Sequence, residues 1–141
     1  MSTNNLTAGK RRALVKPRQR PVTVAGLRNR SLLGLIVGAV PVDAVIRMRV
    51  EDYYRIGQRG WARVTIDSRE RHLMMSPELA SYIDQYLAAA GLEKEPGTLL
   101  FRPVLHGHVL SRGLSRSEVI GILRAYQRDE ALRATRRRKL I

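Results

Sequence analysis

Apolar residues change their spacing once along this chain, near Asp52, and that change restricts the fold more than any other feature. From about Thr23 to Val37, the residues Val24, Leu27, Leu32, Leu35 and Ile36 recur at helical spacing, with Gly34 a weak point in the stripe. Pro41 cannot extend that helix. It suits the first turn of a second one, with Val42, Val45 and Ile46 facing inward. From Asp52 to Met75, "DYYRIGQRGWARVTIDSRERHLMM" alternates apolar and polar residues instead, with turn signals at Gly57–Gly60 and Asp67–Ser68. The alternation predicts three short antiparallel strands at about 53–57, 61–66 and 70–75.

Helical spacing then returns. Ser76 is placed to cap a helix with Pro77 at its first position and Glu78 in its first turn. Leu79, Ile83, Tyr86 and Leu87 form the inward stripe, and Gly91 ends the helix. The stretch "EKEPGTLLFRPVLHGHVLSRG" reads as a connecting loop with one apolar anchor, "LLF". A last helix starts at Ser115, where "SRSE" is a capping box closed by Glu118. Its expected buried stripe is Val119, Ile122, Leu123 and Tyr126. The fold class is therefore α+β, mostly helical, with a small three-stranded antiparallel sheet. Residues 1–22 are expected to be a flexible basic arm, 23–132 the folded domain, and 133–141 a basic C-terminal tail.

A length of 141 residues is that of one domain with a real core, and a hydrophobic fraction of 44% argues against wholesale disorder. The absence of cysteine removes disulfides, thiolate chemistry and cysteine-based zinc sites. Net charge is +14 and sits mainly at the ends. Residues 1–42 carry eight Lys/Arg, among them Lys10, Arg11, Arg12, Lys16, Arg18 and Arg20, and no acid. Residues 133–141 carry five, including Arg136, Arg137, Arg138 and Lys139, again with no acid. The middle is nearly neutral. Basic ends on a neutral body suit a polyanion. Neither end shows the bulky apolar face that an interfacial helix needs, so no membrane partner is expected. The apolar run around residues 31–43 is too short and too broken to span a bilayer, and no signal-type segment follows the basic start. The expected location is cytoplasmic, nucleoid-associated in a bacterium.

Little else in the sequence suggests chemistry. His106 and His108 lack a third ligand at metal-site spacing, and a partly solvated loop is the plainer reading. The glycines fit no phosphate-binding or dinucleotide pattern, so neither a cofactor nor a small-molecule substrate is expected. Glu51, Asp52, Glu93 and Glu95 read as caps or solvated charges. Trp61 reads more readily as core than as a base-stacking platform.

Four words in order, "LRNRSLLGLIVGAVPVDAVIRMRVEDY", "VTIDSRERHLMMSPELASYIDQYL", "TLLFRP" and "GLSRSEVIGILRAYQR", resemble the N-terminal part of the tyrosine recombinase (phage integrase) catalytic domain. The resemblance runs from about Gly26 to Arg128. It implies that family's opening helices, its β-hairpin and the helix before the second half of its active site. The family's phosphate-holding arginine, which steadies the developing phosphorane, falls at Pro41. The acid three positions later falls at Ala44. The general-acid lysine falls at Ile66, while Arg69 and Arg71, close by, are poor proton donors. No His-x-x-Arg or Lys-x-x-Arg occurs, and the nucleophilic tyrosine has no counterpart; Tyr126 sits on the apolar stripe. The resemblance thus implies a truncated, catalytically inactive relative rather than an enzyme.

The expected partner is double-stranded DNA. The basic ends would hold phosphates, while Arg59, Arg63, Arg69 and Arg71 on the hairpin and Arg116 on the last helix would supply any sequence preference. The alternative partner is protein: an active recombinase, or a second copy in a homo-oligomer, with only incidental affinity for nucleic acid.

Overall fold

The first helix, α1 (Val24–Val37), begins where Thr23 Oγ1 accepts a hydrogen bond from the Gly26 N–H at 3.0 Å. It stops in a double turn. The Ala39 N–H donates to the Ile36 carbonyl and the Val40 N–H to the Leu35 carbonyl, both at 3.0 Å. Pro41 then opens the short helix α2 (Val42–Ile46), its carbonyl accepting from the Ala44 and Val45 N–H groups. After a 3₁₀ turn at Val50–Asp52 come β1 (Tyr53–Ile56), β2 (Arg59–Ile66) and β3 (Arg69–Met74), antiparallel in the order β1-β2-β3. The computed structural model describes residues 22–139, and side chains as far as residue 134.

Both hairpin turns have two residues. Asp67 and Ser68 both adopt positive φ, at 52° and 63°, which gives the handedness that follows the twist of paired strands. The register pairs Tyr54 with Trp61 and Trp61 with Met74, and one strand pair over it joins Arg63 to His72. Alternation follows from this register. Tyr53, Gly60, Ala62 and Val64 are buried on one face, whereas nothing on the other face is fully buried.

α3 (Pro77–Ala90) covers the buried face. Ser76 Oγ caps it from the Leu79 N–H, and Gly91, at φ 70°, ends it. Tyr53 on β1 donates its hydroxyl to the Ala80 carbonyl at 3.1 Å and to Asp84 Oδ1 at 2.6 Å, and Arg55 pairs with the same carboxylate. These contacts anchor the sheet to α3. α1 packs along α3, with Leu32 and Ile83 fully buried.

The segment after α3 returns to the core rather than running over it. The Val50 N–H donates to the Thr98 carbonyl and the Leu100 N–H to the Met48 carbonyl, at 2.9 Å each. Phe101 is fully buried and stacks on Tyr86, with centroids 6.0 Å apart, and the Tyr86 hydroxyl donates to the Leu100 carbonyl at 2.7 Å. Burying either ring is worth about 1.5–3 kcal/mol. The "LLF" anchor is thus fixed at Leu100 and Phe101. The rest of this stretch is not the plain loop expected: β4 (Val104–Leu105) and β5 (His108–Val109) form a miniature hairpin turning at His106–Gly107.

α4 (Arg116–Lys139) opens with the expected capping box. Ser115 Oγ accepts from the Glu118 N–H at 3.2 Å, and Glu118 Oε1 accepts from the Ser115 N–H at 2.9 Å. The helix runs on through the basic segment 133–139. Its apolar stripe buries only Val119, with Ile122 and Leu123 half-buried and Tyr126 45% exposed. Tyr126 is therefore not a core residue, because the stripe extends past the body that could cover it.

Candidate nucleic-acid interface

Side chains on a strand alternate between faces, and the β2–β3 register divides the four hairpin arginines between the two sides of the sheet. Arg59 and Arg63 share the open face of the sheet with Tyr54, Trp61, His72 and Met74. Arg69 pairs opposite Ile66 and Arg71 opposite Val64, so both belong to the α3 side, on the edge strand, where they are exposed.

Ion pairing divides the five candidates differently. Arg63 Nε lies 2.8 Å from Asp52 Oδ1 and 3.9 Å from Glu70 Oε1. The hydrogen bond to Asp52 raises the guanidinium pKa further and commits its charge internally. Arg116 Nη1 lies 2.6 Å from Asp43 Oδ1, tying the start of α4 to α2. Among the described residues, Arg59, Arg69 and Arg71 have no carboxylate partner. The same holds for Arg124 and Arg128, one helical turn apart on α4, while Arg133 is paired with Glu130. Arg136, Arg137, Arg138 and Lys139 continue α4 as backbone. Lys10, Arg11, Arg12, Lys16, Arg18 and Arg20 lie outside the described residues.

The positions singled out by the recombinase resemblance are quiet. Pro41 is exposed, Ala44 is buried and Ile66 is half-buried. Asp43, two residues after Pro41, is paired with Arg116. His106 and His108 are exposed in and beside the β4–β5 turn, and no group of three or more potential ligands gathers among the described residues. Glu51 is exposed, whereas Asp52 Oδ2 accepts from the Arg49 N–H at 2.8 Å and so acts as a cap as well as a counter-ion. Among the described residues, no helix is long and apolar enough to cross a membrane.

Two buried arginines went unnoticed in the sequence. Arg28, 8% exposed, donates from Nη1 to the Arg102 carbonyl at 3.1 Å and from Nε and Nη2 to Asn29 Oδ1. Arg102, equally buried, donates from Nε to the Leu99 carbonyl at 3.0 Å. Burial lowers the pKa of Arg28, opposed by the fields of Tyr86 and Glu118. A readable signal existed: Arg28 follows Val24 and precedes Leu32 by four residues each, which places it on the inner stripe of α1. Its guanidinium borders an open groove of about 660 Å³ between α1 and α4, lined also by Arg30, Tyr126, Asp129 and Arg133. The groove mixes both signs of charge. On the far side, Arg112 donates to both Glu118 oxygens and holds that carboxyl down at about 2, helped by the Ser115 N–H.

No family model matches this chain, and no curated protein matches it. Among solved structures, it is similar to the XerH site-specific recombinase bound to its difH substrate in a pre-cleavage complex. That similarity has a TM-score of 0.47 at 16% identity and covers 72% of this chain but 29% of the recombinase, so the chain spans less than a third of that protein's length.

Proposed function

We propose that this protein is a non-catalytic DNA-binding module, accessory or regulatory in DNA recombination or integration. The observation that carries the DNA part is a group of exposed arginines with no carboxylate partner among the described residues, Arg59, Arg69 and Arg71 on the sheet and Arg124 and Arg128 on α4. Arg124 and Arg128 precede the basic run of 133–139 on the same helix. Phosphates would supply the missing partners, and most of the affinity would be sequence-independent. The non-catalytic part rests on Pro41, Ala44 and Ile66, which carry no group able to hold a phosphate or give up a proton. The link to recombination rests on the resemblance in sequence.

The test is binding of the purified protein to random duplex, followed by fluorescence anisotropy, with incubation on suicide recombination substrates. Duplex binding without a covalent product is expected. Failure to bind duplex at low salt would overturn the DNA part, and a tyrosine-linked adduct would overturn the non-catalytic part.

A second reading, a protein-interaction regulator of an active recombinase or of itself, is favoured by the exposed Tyr126 and Leu132 on α4. Co-sedimentation with a recombinase, lost in Tyr126→Ser, would support it.

A further inference from the structure

Among the described residues, no element covers the face of the sheet opposite α3, and its composition is unusual for a solvated face. Cross-strand pairing sets Tyr54, Trp61 and Met74 side by side in one row across all three strands. Such neighbours have Cβ atoms about 4.5–5.5 Å apart. Met74 is 57% exposed, and Ile56, in the next row, 61%. The Tyr54 hydroxyl is held by His72 Nδ1 at 2.7 Å, with the two rings edge to face at 6.0 Å, so the phenol ring is fixed before any partner arrives. Of the carboxylates on this side, Asp52 pairs with Arg63 and Glu70 lies between His72 Nε2 and Arg63, which leaves Arg59 unpaired beside the row.

We propose that the Tyr54–Trp61–Met74 row is a stacking platform for unpaired bases, so that this protein also binds single-stranded nucleic acid. A duplex hides base faces inside its stack and offers this row nothing flat to meet. An unpaired strand exposes them, and aromatic rings accept any base because every base has a π-face. The occupant is chosen by charge: a chain of net charge +14, with a free cation at the platform, attracts a polyanion over another basic copy of itself. The inference adds to the proposed duplex binding and does not depend on it.

Trp61 is the only tryptophan, so its fluorescence reports on this surface alone. Titration with a thymidine oligonucleotide of about twelve nucleotides, within the usual range of such sites, is expected to quench it. Heparin of matched charge is expected not to. Trp61→Leu and Tyr54→Leu keep apolar bulk, and each should weaken the single strand about tenfold, leaving duplex affinity and the thermal midpoint in place. Should Trp61→Leu not fold, Tyr54→Leu retains the reporter and carries the test. Three results would each overturn the proposal: equal quenching by heparin, unchanged single-strand affinity in folded variants, or a dimer that both substitutions dissociate. Loss of duplex binding alone would count only against the previous section.

Discussion

Ala39 is the residue whose type and geometry disagree most. Its φ of 77° lies in the left-handed region, at the position after a helix where glycine is usual, while Gly38 immediately before it has an ordinary φ of −74°. Ala39→Gly is expected to stabilise the fold by about 0.5–1 kcal/mol after allowance for the looser unfolded chain, seen as a higher urea midpoint at unchanged slope. Arg28 argues the opposite way. Arg28→Ala leaves the Arg102 carbonyl unanswered and should cost about 1–3 kcal/mol in the same measurement. Glu118 sets a pH dependence. Its folded pKa, near 2, lies below that of an unfolded carboxyl, because Arg112 and the Ser115 N–H bind its charged form. The stabilisation is therefore complete above about pH 4.5 and is lost as pH falls towards 2. Glu118→Gln should flatten that limb of the melting profile, and an unchanged limb would mean that the pair is screened by solvent.

Elements show where close packing fixes the geometry. A Cβ built on Gly60 would stand 2.7 Å from the Ala80 Cβ and 3.3 Å from the Tyr53 ring, between a strand and a helix already bolted together by the Tyr53 hydroxyl. Gly60→Ala should cost about 1–3 kcal/mol. At Gly34 the new Cβ meets only the tip of Leu79, and alanine favours the helix, so Gly34→Ala should cost less. The order of the two thermal midpoints checks this. The same elements explain what could be read in advance. Strands β1 to β3 were legible because β2 buries one face, which enforces alternation, and α3 because Ser76, Pro77 and Gly91 each serve a backbone need at its ends. The β4–β5 hairpin was not, since two-residue strands are too short to alternate. The extension of α4 through "RATRRRK" was hidden for a related reason: with no apolar period, only the helix propensity of arginine, alanine and lysine marks it. The open face of the sheet was half legible. Alternation placed Trp61, but only the strand register shows that it stands beside Tyr54 and Met74 instead of entering the core.

At the scale of the whole molecule the issue is how charge is shared between the folded body and the ends. The body commits much of its arginine internally: Arg55 to Asp84, Arg63 to Asp52, Arg112 to Glu118 and Arg116 to Asp43. Cations already answered release few counter-ions on binding, so these four should add little to the salt dependence of duplex affinity. The ten basic residues of 1–22 and 136–141 and the free arginines of the sheet and α4 should carry it. If about six to eight of them touch phosphates, log K against log salt should slope at about −5 to −7, a loss of about a thousandfold or more between 50 and 200 mM. Arg69 and Arg71 sit on one edge strand and can reach one backbone together. Replacing both with alanine should therefore flatten the slope by about 2, whereas Arg63→Ala should change it little while lowering the melting temperature. Removing both ends should flatten the slope further and leave the thermal transition of the body within a few degrees, since the described core residues all lie between Val24 and Leu123. A slope flatter than about −2 for the intact chain would mean that phosphates are not what these cations answer to, and would leave Tyr126 and Leu132 on α4 as the surface to follow.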